Sequence, residues 1–511
     1  MLCCMLLGFA ACGSGDAPTT TPPVAAARPK VVPVARPEVV PVAREGEWSA
    51  ANADDANSRS VRGPIDSSSV GHLETAWKLA VGPYVATPVV VDNVLYTQDL
   101  TSTVYAVDVR TGTLRWKKVY AEPTIGPNGV AVAEGRVYGA TTTKVFALDA
   151  RSGRQLWIKR IAFKDGEGTD MSPGVHDGTV YVSTVPVTPQ AVYVPGVRGI
   201  LWALDAATGR EQWTWATVPV DLWGDKEHNS GGGLWYTPAF DQEQGVYLSI
   251  GNPAPFSSEG ETAWGKSRPG PNKWTDSIVK LNTETGKMVW GRQVLPHDVY
   301  DWDLEAPVIL RRVAGREVAV VGGKMGIVYG FDRESGALLW RRAVGKHNGH
   351  DNDNLAAMHG KLKNFPEGTR LLPGVYGGIE TPMAADETTV YAPVDNQYSV
   401  LSGERMISNQ PFEEATGEIV AVSLADGHIR WARKLPHAVF GGATVANDIV
   451  FTTTYEGTVW ALRTDTGTIA WRATLPFETT SPVAVAGDTL ITAASGSYGS
   501  DATVIAYRLG G

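Results

Sequence analysis

One alternation of apolar and polar positions, thirteen residues long, recurs seven times along the chain. The copies are VYAVDVRTGTLRW (104–116), VFALDARSGRQLW (145–157), LWALDAATGREQW (201–213), IVKLNTETGKMVW (278–290), VYGFDRESGALLW (328–340), IVAVSLADGHIRW (419–431) and VWALRTDTGTIAW (459–471). In each, alternating apolar residues make a strand and a polar residue, most often Asp or Asn, starts a tight turn. Gly then takes the position that needs positive φ, and a second strand ends on Trp. Upstream of most copies lies another strand pair, such as TPVVVDNVLYTQDL with its turn at Asp92-Asn93. Four antiparallel strands per unit is the pattern of a propeller blade.

An eighth copy is split between the two ends. LETAWKLAVG (73–82) supplies a final strand with Trp77 but lacks the three before it, while SPVAVAGDTLITAAS and TVIAYRL supply three strands and no final Trp strand. The predicted fold is therefore all-β, an eight-bladed β-propeller closed where the N-terminal strand joins the C-terminal blade, which leaves no exposed sheet edge of the kind a linear stack would have. The eight tryptophans (Trp77, Trp116, Trp157, Trp213, Trp290, Trp340, Trp431 and Trp471) are expected to pack one blade on the next. The shortest steps between them are 39 to 41 residues, but Trp157 to Trp213, Trp213 to Trp290 and Trp340 to Trp431 are 56, 77 and 91. Inserted loops on a rigid frame are where sites are usually built.

Composition agrees with short strands and turns: 56 Gly, 17 Trp and 19% charged residues among 511. A net charge of −9 argues against nucleic acid as a partner. All three cysteines (Cys3, Cys4 and Cys12) lie in the first twelve residues, so the folded part has no disulfide and no Cys-ligated metal. The opening MLCCMLLGFAACGSGD reads as a lipoprotein-type signal over 1–12 with Cys12 lipidated, which implies an exported, membrane-anchored protein at the cell surface or in the periplasm. Residues 13–44, rich in Ala and Pro, read as an extended tether, and 45–511 as the propeller.

Off the repeat, LPHDVYDWD (295–303) sets Asp301 and Asp303 on either side of Trp302, and Lys324 follows in VVGGKMG. That brings acid, base and cation chemistry into the frame. The longest insertion carries KHNGHDNDN (346–354), whose His347, His350, Asp351 and Asp353 form a second candidate metal site.

With GNPAPF, LPHDVYDWD, GGKMGIVYGFDRESG, PGVRGILWALDAATG and the opening EWSAANADDANSRSVRGPIDSSSVGHLETAW in view, the chain resembles the pyrroloquinoline quinone (PQQ) dehydrogenases, eight-bladed quinoproteins acting on alcohols and aldose sugars. The resemblance covers nearly everything after residue 45 and implies a role for each matching position. Asp301 matches the general base that takes the substrate hydroxyl proton. Asn252 matches an oxygen ligand to a metal, Ca²⁺ or a lanthanide, with Asp301 and with Asp303, the extra carboxylate found in some lanthanide-using relatives. Lys324 matches the cation beside the quinone oxygens, and Trp235 the indole under the planar cofactor. No C-x-x-C-H haem motif is present, so electrons are expected to leave to a separate acceptor.

Several positions depart from that pattern. Val85 stands where relatives carry a Glu that contacts the quinone, Asn128 where they carry Arg, Val194 and Pro195 where they carry a metal-binding Glu, and Ile379-Glu380 where they carry Asn-Trp. Such losses leave two outcomes open: PQQ bound in a modified way, or a pocket turned to another ligand or none. The alternative to a dehydrogenase is a non-catalytic PQQ-like propeller lipoprotein, acting as a binding or envelope-assembly scaffold.

Overall fold

Every copy of the repeat forms a strand pair, and each pair completes a four-stranded antiparallel sheet. The computed structural model describes residues 46–496 and 500–510; the signal, Cys12 and the tether lie outside them. Among the described residues there are eight such sets of four strands, seven standing as four-stranded sheets and one extended by Ser60–Val61, which pairs in parallel with Thr444–Ala446. The first runs Val89–Val91, Val94–Gln98, Val104–Asp108 and Leu114–Lys118 in sequence order. Burial follows position in the sheet. Val94–Gln98 is buried on both faces, whereas Leu114–Lys118 is largely exposed. The last sheet joins the two ends of the chain, with Leu73–Val81 antiparallel to Ala502–Leu509 from Leu73 opposite Leu509 to Val81 opposite Ala502. Among the described residues no helix is long and apolar enough to cross a membrane.

The repeat's tryptophan and glycine form a joint between successive sheets. Trp77 Nε1 donates to Val109 O at 2.8 Å, Trp157 Nε1 to Ala206 O at 3.0 Å, Trp340 Nε1 to Leu424 O at 3.1 Å and Trp431 Nε1 to Thr464 O at 2.8 Å, each across to the following sheet. The turn glycine of that next sheet lies flat on the same indole. At Gly427, with φ of +73°, a Cβ would sit 2.6 Å from the Trp340 ring. One residue thus has to meet a turn conformation and a close contact together, and only Gly does both.

The opening segment has its own task. Phe240 N donates to Asp55 O, Leu310 N to Ala56 O, Ala385 N to Ser58 O and Val445 N to Arg59 O, all at 2.7–2.9 Å. These four donors sit in the first strands of four successive sheets. Five residues reach at most about 17 Å, so those first strands crowd around one point. Arg59 is fully buried there, and its guanidinium is spent on Ala51 O, Asn52 Oδ1, Ala443 O, Thr444 Oγ1 and Val483 O.

Candidate active site

The D-W-D triplet is shaped by the residue three places before it. Asp298 is buried and accepts from Tyr300 N (2.9 Å) through one carboxylate oxygen and from Trp302 N (2.7 Å) through the other. Those bonds fold 298–302 into a tight turn in which Asp301 takes a φ of +61°, rare for a residue with a side chain. Trp302 is buried, donates to Pro373 O (3.2 Å) and stacks edge-on against Tyr300. Lys324 comes from the end of the strand Arg316–Gly323, and its N–H donates to Asp303 O at 3.0 Å. A Cβ at Gly323 would meet that carbonyl at 2.2 Å, so glycine is what lets the two segments touch.

Four of the residues singled out in the sequence are in direct contact. Lys324 Nζ lies 2.9 Å from Asp301 Oδ2 and 2.7 Å from Asp303 Oδ2. Asn252 donates through Nδ2 to Asp301 Oδ1 (2.7 Å) and through its backbone N–H to Asp303 Oδ1 (2.7 Å). Asp301, Lys324 and Trp235 line one cavity of about 540 Å³ whose walls are mostly apolar and aromatic, with Tyr236, Phe412 and Phe440 among them. Burial pushes the Asp301 carboxyl above its ordinary value, and the Lys324 ammonium pulls it back down. The same carboxylates drive Lys324 well above the usual lysine range, against the effect of its burial, so it stays charged.

The structure adds residues that the sequence did not single out. Tyr193 donates its hydroxyl to Asn252 Oδ1 at 2.6 Å and lies 3.4 Å from Asp301 Oδ1. Glu305 and Glu380 line the cavity, and burial and their mutual charge push Glu305 well up, with burial raising Glu380 too. Burial thus disfavours a negative charge on either carboxyl. Each had a signal in the chain: Tyr193 adjoins the departure at Val194, Glu380 follows Ile379, and Glu305 is two residues past Asp303.

The departures themselves divide. Val85 lines the cavity. Asn128 is turned away and donates to Asp99 O at 2.9 Å. Ile379 is fully buried and packs on Gly322, while Val194 packs on Gly166. The second candidate metal site is not formed. His347 pairs with Asp351 and His350 with Asp353, each at 2.7 Å, and Asp353 also accepts from Tyr300 at 2.8 Å, so the four side chains split into two pairs without a common centre. Among the described residues no group of three or more His, Cys, Asp or Glu side chains is placed to hold a metal.

Residues 48–346 match the family model described as PQQ glucose/ethanol/alcohol dehydrogenase, beta-propeller domain, which is more than half of the chain. The chain belongs to this family. A second model, outer membrane protein assembly factor BamB, matches 415–509. Among relatives, the quinohemoprotein alcohol dehydrogenase of Comamonas testosteroni is 28% identical, over 84% of this chain and 69% of its own length. The putative dehydrogenase XoxF of Paracoccus denitrificans is 26% identical, over 82% of each. Solved structures with the same fold include quinohemoprotein alcohol dehydrogenase ADHIIG of Pseudomonas putida (TM-score 0.78, 24% identity, 92% of this chain and 81% of that one) and a europium-containing methanol dehydrogenase (0.75, 18%, 92% and 99%). BamB of Moraxella catarrhalis is more distant (0.55, 14%, 85% and 99%).

Two groups implied by the PQQ dehydrogenase family can be tested against these residues. The quinone fits. The cavity has the volume of an ordinary small-molecule site, Trp235 offers a flat face, Lys324 puts a cation on the wall, and burial disfavours negative charge on Glu305 and Glu380. The metal expected on Asn252, Asp301 and Asp303 does not fit. The donor types suit a hard cation, but Lys324 lies between the two carboxylates, and every side-chain oxygen of the three faces an N–H, an ammonium or a hydroxyl.

Proposed function

We propose that this chain is a quinoprotein dehydrogenase that oxidises the C–OH group of an alcohol, with PQQ held in the cavity beside Trp235 and Lys324. The observation that carries this is the meeting of Asp301 and Lys324, from segments of two neighbouring sheets, on the wall of one aromatic-walled cavity, with Asn252 hydrogen-bonded to Asp301. Bound PQQ supplies a two-electron acceptor for the hydride on the carbinol carbon. Asp301 accepts the hydroxyl proton: it faces the cavity, and burial raises its basicity towards the working range of a general base. Asn252 and Lys324 fix one carboxylate oxygen each, so the group has a single orientation before substrate arrives. The mostly apolar surface of the walls favours an alcohol with an apolar body over a many-hydroxyl aldose.

The frame belongs to the same reading. The eight sheets are the eight blades of one ring, closed where Leu73–Val81 completes the last sheet, and residues 55–59 pass among the first strands at its centre. Residues 1–12 are an export signal that leaves Cys12 lipidated, residues 13–44 are the tether, and electrons pass to a separate acceptor. The second reading, a scaffold like the assembly lipoproteins, is favoured by the BamB match and by Val85, Asn128, Val194 and Ile379 standing where Glu, Arg, Glu and Asn were expected. Convergence of the acids and the lysine weighs against it, since a scaffold has no use for a buried, ion-paired base.

The test is reconstitution of the purified chain with PQQ, followed by dye reduction with primary, secondary and aromatic alcohols and with aldoses. Alcohol-dependent reduction that disappears in Asp301→Asn while PQQ uptake persists is expected. Uptake without turnover on any alcohol, or no uptake at all, would leave the scaffold standing.

A further inference from the structure

We infer that Lys324 and Tyr193 together hold Asp301, Asp303 and Asn252 in the place a divalent or trivalent ion would take, so that this site assembles without a metal. The inference rests on the dehydrogenase reading only for where the site lies; the contacts themselves are independent of it.

A cation bound among two carboxylates and an amide needs all three to aim lone pairs at one point. Here each side chain is already engaged, Asp303 Oδ2 through an ion pair alone and without a hydrogen bond. Asp301 Oδ1 accepts from Asn252 Nδ2 at 2.7 Å, and Asp301 Oδ2 faces Lys324 Nζ at 2.9 Å. Asp303 Oδ1 accepts from Asn252 N at 2.7 Å, and Asp303 Oδ2 faces the same Nζ at 2.7 Å. Asn252 Oδ1, the remaining ligand atom, is taken by the Tyr193 hydroxyl at 2.6 Å. Turning the Asn252 amide over to present its oxygen would set Oδ1 against Asp301 Oδ1, a contact that needs a cation or a proton on Asp301 to hold it. The orientation seen needs no such help. Lys324 is 5% exposed, and its ammonium lies within ion-pair distance of both carboxylates. An entering Ca²⁺ would have to expel a buried ammonium that already neutralises one of the two negative charges.

Tyr193 is set for this part by its backbone. It follows the short strand Ala191–Val192, has a φ of +52°, and is half-buried against Phe256 edge to face, with the hydroxyl pointing at Asn252 and Asp301. Beside it Val194 and Pro195 offer no ligand. A tyrosine hydroxyl supplies a hydrogen-bond donor where a metal site would want an anionic oxygen.

The test uses the full chain without PQQ, so it reads the cation alone. Metal-stripped protein is titrated with Tb³⁺, followed by emission sensitised through Trp235 and Tyr193, and with Ca²⁺ by calorimetry. The native chain is expected to show no saturable site for either ion. Lys324→Met, which bares both carboxylates, is expected to gain one, binding on the order of 100-fold more tightly than the native chain or better. Lys324→Gln serves as a second variant should the first fail to fold. Tight stoichiometric Ca²⁺ or Tb³⁺ binding by the native chain, lost in Asp303→Asn, would overturn the inference. So would a Lys324 variant that folds and binds neither ion. PQQ uptake in the presence of a chelator distinguishes this failure from that of the dehydrogenase reading, because the latter requires uptake and the former requires only that it survive chelation.

Discussion

The joints between sheets and the loop around Asp301 are both built on tryptophan, and they use it in opposite ways. At a joint, Trp340 or Trp431 is one of a series: its indole donates to a carbonyl of the next sheet and a turn glycine lies on its face, and the arrangement recurs sheet after sheet. At the site, Trp302 occurs once, is buried with its N–H on Pro373 O, and serves to turn Asp301 and Asp303 towards Lys324. Repetition makes the frame tolerant, because each joint is one of several. The site has no spare copy, and its polar side chains depend on one another.

That contrast can be broken from either side. Asp301→Asn is expected to lower alcohol oxidation by a factor of about 10² to 10⁴, the range for removing a positioned acid–base group, with the melting temperature and PQQ uptake nearly unchanged. Steady-state dye reduction beside calorimetry measures both. Trp340→Ala should do the converse, costing about 3–5 kcal/mol of stability by emptying a large buried volume while leaving the Asp301 contacts intact, as denaturant melts and PQQ affinity would report. Asp298→Ala sits between the two. It removes the acceptors for Tyr300 N and Trp302 N, which is worth about 1–3 kcal/mol for buried donors left unpaired. It should also weaken catalysis more than binding, because the turn that aims Asp301 loosens. Gly427→Ala is expected to cost about 1–3 kcal/mol, from a strained φ and an indole contact that has no room for a Cβ. The smallest effect is expected for His350→Ala, whose partly buried pair with Asp353 contributes less than about 1 kcal/mol. Metal content should not change in that variant.

The same contrast decides how much the sequence disclosed. The frame was legible because each of its rules appears several times: apolar alternation, a polar turn residue, Gly and Trp at fixed spacing. Even the split eighth sheet could be read, since Trp77 lacked its three strands and the C-terminal end lacked its Trp. Asp301, Asp303, Asn252 and Lys324 were legible as motifs, and they touch. Their contacts were not. Nothing in spacing along the chain tells that Lys324 reaches both carboxylates, or that Tyr193, 59 residues from Asn252, supplies a hydroxyl to it. The metal expectation rested on ligand identity, which was visible, and not on which contacts those ligands already make, which was not. The insertion at 346–354 failed differently: four ligand-type side chains close in sequence paired off locally, because short Asp and His side chains three or four residues apart satisfy one another first. Residues 55–59 carry no periodic pattern, and their passage across four sheets depends on backbone atoms that every residue has.

The most direct test of the account is a titration of the purified chain with PQQ, followed by quenching of tryptophan emission in the native protein and in Trp235→Phe. A one-to-one, saturable quench that is diminished in the variant is predicted, with the endpoint unchanged by chelator. A flat titration, with the protein folded throughout, would contradict it and leave the acids and the lysine without a cofactor to serve.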